Sequence, residues 1–154
     1  MRILLVITLA ISLLGACSGK RVSPYQEWSA LETPEVFKSK NNWSFILLNR
    51  EGEINRRIVI RFTEYEAKTC SSGDWKQAEI IDEYPPRQDD FLGESAYFVN
   101  GAALIIDLSS NFCDAGYELK GQLQETGVTG NHYPVSMFGI EIVGKFYGVP
   151  IKDT

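Results

Sequence analysis

From Trp43 onward the apolar residues of this chain arrive in short runs rich in Ile, Val, Phe and Tyr, separated by Gly, Asn, Asp and Ser, and that rhythm restricts most of it to β-sheet. Within Ile54 to Tyr65, Ile58, Ile60 and Phe62 alternate with Val59, Arg61 and Thr63, the period of a strand with one buried face. Trp43 to Leu48 precedes it across Asn49-Arg50-Glu51-Gly52-Glu53, which reads as a hairpin loop, and Trp75 to Asp82 reads as a further strand. Tyr97-Phe98-Val99 meets Ala102 to Leu108 across Asn100-Gly101. Asn-Gly is the strongest hairpin signal in the chain, because a type I′ turn needs positive φ at both central residues. Leu104, Ile106 and Leu108 then face one side and Ala103, Ile105 and Asp107 the other, so this strand is expected to be central.

Tyr117 to Leu123 alternates as well, as does Phe138 to Val143. Gly121, Gly127, Gly130, Gly139, Gly144 and Gly148 punctuate this half as bends or bulges would in a curved sheet. The expectation is a mainly β fold, a small antiparallel β-barrel or sandwich of about eight strands. A short helical segment precedes it. Ser23-Pro24-Tyr25-Gln26 combines a serine cap, proline at the first helical position and glutamine at the third, with Trp28 and Leu31 as the apolar face. Thr33-Pro34-Glu35 repeats the start signal and opens another turn through Val36 and Phe37.

The first sixteen residues have a different character. Arg2 supplies a positive start, Ile3 to Leu14 is apolar apart from Thr8 and Ser12, and Gly15-Ala16 are the small residues that precede a cleavage point. The apolar stretch is about twelve residues, whereas a bilayer-spanning helix needs about twenty. Leu14-Gly15-Ala16-Cys17 resembles the bacterial lipobox. The resemblance covers the leader alone and implies cleavage before Cys17, a diacylglyceryl group on its thiol and acylation of the new amine. Several acyl chains at roughly 0.8 kcal/mol per methylene give stable anchoring. Ser18 in place of aspartate implies, by the enteric sorting rule, the periplasmic face of the outer membrane. The expected organisation is a signal peptide over 1–16, an anchor and tether over 17–22 and one β-rich domain over 23–154.

Removing the leader leaves roughly 138 of the 154 residues, enough for one domain with a real core. It also removes one base, Arg2, which takes the formal charge from −5 to −6. An acidic surface argues against nucleic acid as a partner and against a basic patch docked on anionic lipid. With Cys17 assigned to lipid, Cys70 and Cys113 remain as an even pair in a compartment where disulfides form, and a bond between them is expected. Closing a loop of about 44 residues would stabilise the fold by roughly 4 kcal/mol in the chain-entropy model. Metal binding would want more ligands nearby, and a redox pair is more often a close CxxC.

No catalytic residue, metal site or cofactor is assigned. Gly139 to Phe146 nearly fits the phosphate-binding GxxxxGK[ST]. However, Phe146 replaces the hydroxyl, and Ile140 and Ile142 alternate as in a strand. His132, the sole histidine, lies in Thr129-Gly130-Asn131-His132-Tyr133-Pro134, which reads as a turn with a surface histidine. Gly93-Glu94-Ser95-Ala96-Tyr97 lacks the second glycine of a nucleophile elbow. Gly73-Asp74-Trp75 matches the GxW of lipocalins but comes after two strands, so Trp75 is assigned to the core.

The acidic stretch from Asp82 to Asp90 around Pro85-Pro86 reads as an exposed, stiff loop. Its Asp82, Glu83, Arg87, Asp89 and Asp90 are candidate partner-binding residues, because loops carry function and charge steers encounter. The leading expectation is a non-enzymatic envelope lipoprotein, a binding or assembly module that contacts the membrane through its lipid and a protein partner through its domain. The alternatives are an inhibitor of a cationic, lysozyme-like enzyme and a carrier of a small apolar ligand.

Overall fold

The alternation closes on itself. A computed structural model describes residues 23–86, 94–136 and 139–151. It contains two helices, α1 (Pro24–Ser29) and α2 (Glu35–Ser39), followed by β1 (Asn42–Leu48), β2 (Ile54–Glu66), β3 (Lys76–Tyr84), β4 (Ser95–Asn100) and β5 (Ala103–Asp107). The chain then continues through β6 (Ala115–Gln124), β7 (Gly127–Ser136), the two-residue β8 (Gly139–Ile140) and β9 (Gly144–Pro150). Every pairing is antiparallel, in the order β6-β5-β4-β3-β2-β1-β9-β7, and β7 pairs back to β6. That last pairing makes a closed eight-stranded barrel, with β8 attached to β7 outside the ring. Closure removes free sheet edges and decides the barrel-or-sandwich alternative for the barrel.

The interior is filled by the inward half of each alternation. Trp43, Phe45 and Leu47 of β1 meet Ile58, Ile60 and Phe62 of β2, Leu104 and Ile106 of β5, Leu119 and Leu123 of β6, Val128 of β7 and Phe146 of β9. All are at most 5% exposed. Each such side chain contributes about 1.5–3 kcal/mol by leaving water. Gly121 and Gly130, paired across β6 and β7, make room for the Phe146 ring, since a Cβ at either would come within 2.6 Å of it.

The helices cover one end of the barrel. Ser23 forms the capping box with Gln26, and Pro24 occupies the first turn, as the serine-proline start signal requires. The Ala102 N–H donates to the Trp28 carbonyl at 3.0 Å, and the Thr33 hydroxyl donates to the Gly101 carbonyl at 2.6 Å. Gly101 has φ +59°, and a Cβ there would fall on the backbone carbonyls of Ser29 and Leu31. The hairpin forms, but not as the type I′ turn expected: Asn100 pairs with Ala103 and lacks positive φ, so the central residues are Gly101 and Ala102, and glycine at the first of them is the type II′ arrangement. The same turn seats the helical segment. Phe37 of α2 inserts among Trp43, Phe62 and Tyr97, with ring centroids 5.0–6.2 Å away.

The connection between β2 and β3 folds back over the outer wall. Trp75 is 6% exposed, yet it packs on Phe98 at 5.7 Å, and Phe98 alternates with inward-facing Tyr97. Trp75 is thus buried outside the barrel rather than in its core. The Cys70 N–H donates to the Ser110 carbonyl at 3.2 Å, and the Cys70–Cys113 disulfide staples this loop to the β5–β6 connection.

Two segments depart from the reading of the sequence. Thr129 to Pro134, expected as a turn, lies inside β7, because pairing with β6 throughout, and with β9 as far as His132, overrides the low strand preference of Gly130, Asn131 and Pro134. The strand expected over Phe138 to Val143 is confined to Gly139–Ile140 within the described residues, and the barrel strand begins only at Gly144.

Candidate functional site

Two constellations flank the apolar core, a polar one at one end and an apolar cleft with a charged rim at the other. At the end away from the helices, His132 is 1% exposed, which overturns its reading as a surface residue. The turn reading fails because Thr129 to Pro134 continue the alternation of β7, which turns the ring inward opposite Leu119. Its Nε2 lies 2.7 Å from the Leu48 carbonyl oxygen, which can only accept, so Nε2 carries the proton. Nδ1 then accepts from the Tyr117 hydroxyl at 2.5 Å. Burial, with the nearby Arg56 charge adding to it, lowers the imidazole pKa below its ordinary value against the opposing Leu48 hydrogen bond. Burial raises that of Tyr117, with Arg56 opposing.

Arg56 and Glu83 pair across β2 and β3 at 3.3 Å, with the Glu83 side chain only 8% exposed. A neutral imidazole with both nitrogens engaged has no lone pair to offer a metal or a substrate, so this cluster closes the barrel end. Gly144, which lacks a side chain, leaves space for the ring. A hairpin reading centred on Glu125-Thr126 would have found the pair, since it places Tyr117 and His132 on one face of β6 and β7.

At the helix end a cleft of about 360 Å³ remains between α2 and the ends of β2, β3 and β4. Phe37, Phe62, Tyr97 and Val99 form its apolar floor, and Lys38, Lys76, Glu64 and Asp74 its rim. The Tyr97 hydroxyl donates to the Thr63 carbonyl at 2.8 Å, and burial, with Glu64 adding to it, pushes its pKa up to about 12. It is therefore a fixed donor at physiological pH. Lys76 pairs with Glu64 and Lys38 with Glu35, so the rim carries both signs. The sequence pointed to Phe37 as a helical apolar residue but not to its ring partners Trp43, Phe62 and Tyr97, which three separate strands contribute.

The candidate residues of the acidic stretch are divided. Asp82 is exposed on β3, and Glu83 turns toward the barrel interior to meet Arg56. Arg87, Asp89 and Asp90 lie outside the described residues, as do Cys17 and the leader. Cys70 and Cys113 are bonded. Among the described residues no group of three or more His, Cys, Asp or Glu side chains is placed to hold a metal ion. Compared with known proteins, the chain matches no family model, no curated protein and no solved structure.

Proposed function

We propose that this chain is a non-enzymatic envelope lipoprotein, held through Cys17 at the periplasmic face of the outer membrane, that binds a protein partner at the helix-end cleft. The observation that carries the binding reading is the contrast between a barrel interior filled with side chains and a cleft of about 360 Å³ with an apolar floor and a charged rim. A filled interior favours recognition at the surface over a ligand enclosed by the strands. The cleft suits one aromatic or aliphatic side chain of a partner, flanked by charges that meet Lys38 and Asp74, the arrangement in which a few buried anchors dominate binding energy. The inhibitor reading draws on Asp82 alone among the described residues, since Glu83 is engaged inside, and so has less support.

Two measurements test the reading separately. The native chain is expected in the detergent phase of a phase separation and Cys17→Ala in the aqueous phase; equal behaviour of both removes the anchor. A photo-crosslinker at Lys38 is expected to trap a partner in intact cells that one at Phe112, beside the disulfide, does not. Identical adducts from both positions would remove the cleft.

A further inference from the structure

On the wall formed by β6, β7 and β9, the alternation turns Leu123, Val128, His132 and Phe146 inward and leaves Gln122, Thr129, Asn131, Lys145 and Tyr147 facing out. The register sets Gln122, Thr129 and Tyr147 in one row across the three strands, with Asn131 and Lys145 side by side in the next. At about 4.8 Å between strands, the longer row spans roughly 10 Å. Trp28 of α1 borders the same surface, and these six side chains line a groove of about 290 Å³. It shares no lining residue with the helix-end cleft.

The polar groups of this groove are uncommitted. Elsewhere, the indole N–H groups of Trp43 and Trp75 donate to the Lys40 and Ser72 carbonyls, and the hydroxyls of Tyr97 and Tyr117 are bonded to Thr63 and His132. Among the described residues, the Trp28 indole, the Tyr147 hydroxyl and the side chains of Gln122, Thr129 and Asn131 have no hydrogen-bond partner. Lys145 likewise enters no ion pair there, whereas Lys120, in its row, is matched by Glu118.

The chemistry of these groups narrows the ligand. Two amides and a hydroxyl both donate and accept, which matches a molecule dense in hydroxyl groups. Two aromatic side chains with free polar tips offer flat apolar faces to its C–H surfaces. The main chain offers nothing further, because each of these strands is paired on both sides here and a peptide cannot add as another strand. A single cation on a chain of net charge −5 does not suit a polyanion such as nucleic acid. An ammonium that no carboxylate of the protein answers suits one carboxylate on the ligand.

We propose that this groove binds an oligosaccharide bearing a carboxylate, with a sugar ring against Trp28 and Tyr147, hydroxyls on Gln122, Thr129 and Asn131, and the carboxylate on Lys145. The groove is at the small end of ligand sites, which begin at about 300 Å³, so it holds a short stretch of a longer glycan. The site is independent of the lipid anchor and of the helix-end cleft.

The test titrates the purified full chain, held in a sugar-free detergent, with three soluble probes. These are a tetrasaccharide of alternating N-acetylglucosamine and N-acetylmuramic acid, tetragalacturonate, and the neutral chitotetraose. At least one carboxylate-bearing probe is expected to bind about tenfold or more tighter than chitotetraose, the scale of one charge-assisted hydrogen bond. Lys145→Gln is expected to abolish that preference. Tyr147→Ala, and separately Gln122→Ala with Asn131→Ala, are each expected to weaken binding about tenfold or more; all three residues face outward, and an unchanged urea midpoint checks the fold. Binding of neither acidic probe overturns the proposal, as does binding that these substitutions leave intact. Binding lost in Lys38→Glu but kept in the groove variants assigns the glycan to the helix-end cleft and equally overturns it.

Discussion

The two ends of this barrel share the same eight strands yet are closed by different physics. At the helix end, Phe37 brings an aromatic ring to Trp43, Phe62 and Tyr97, and closure rests on apolar area removed from water. At the other end, His132, Tyr117, Arg56 and Glu83 close the space with directed hydrogen bonds and a charge pair. Apolar closure tolerates an imperfect fit and leaves a cleft. Polar closure requires every group to be partnered, because an unmatched polar group in a low-dielectric interior is costly.

That contrast can be broken by substitution, and the largest effect belongs to the apolar end. Phe62→Ala, which removes a ring 5% exposed, is expected to cost about 3–5 kcal/mol in denaturant unfolding. Next, Cys70→Ser with Cys113→Ser removes a staple that belongs to neither end; a loss of about 2–4 kcal/mol is expected. At the polar end, Tyr117→Phe keeps the ring and removes the donor to His132, and an unmatched Nδ1 is expected to cost about 1–3 kcal/mol. Should Tyr117→Phe prove neutral by thermal unfolding, the polar end is closed by shape and the contrast fails. Thr33→Val tests the hydrogen bond between the helical segment and Gly101, with a loss of about 0.5–1.5 kcal/mol expected.

The smallest effect is the pH dependence that His132 imparts. Its folded-state pKa lies below the ordinary 6.5, so the unfolded chain binds the additional proton near and below that pH. The stability conferred by the neutral imidazole is fully present above pH 6.5 and is lost as pH falls toward the folded-state value. Urea midpoints should therefore fall on acidification through that window. His132→Gln should flatten the slope, while Phe62→Ala should leave it intact.

How much of this was legible in the sequence follows the same division. The strands with clean alternation, such as Ile58-Val59-Ile60-Arg61-Phe62, were legible because one apolar face and one polar face are a local property. The capping box at Ser23, the hairpin marked by Gly101 and the cysteine pair were legible for the same reason, each being carried by residue types with a narrow structural meaning, although the turn itself sits one residue later than Asn100-Gly101. β7 was not, because Gly130 and Asn131 are strand residues only by virtue of their neighbours on β6 and β9, and Pro134 by virtue of Tyr117 on β6. His132 was lost with β7. The cleft was illegible for a further reason: Phe37, Phe62 and Tyr97 are spread over sixty residues of chain, and only closure brings them to one mouth.

The pairing of β1 with β9 sets Trp43 against Pro150, so the barrel's final seam joins an early strand to one near the far end of the chain. A ribosome delivers residues in order at about 5–20 per second. The β1 edge, with Trp43, Phe45 and Leu47 along it, must therefore wait several seconds for the strand that covers it. Such distant partners make for slow folding, and an unpaired apolar edge in the meantime is a template for the wrong chain. A nascent chain stalled before Gly144 is consequently the form of this protein most in need of a chaperone.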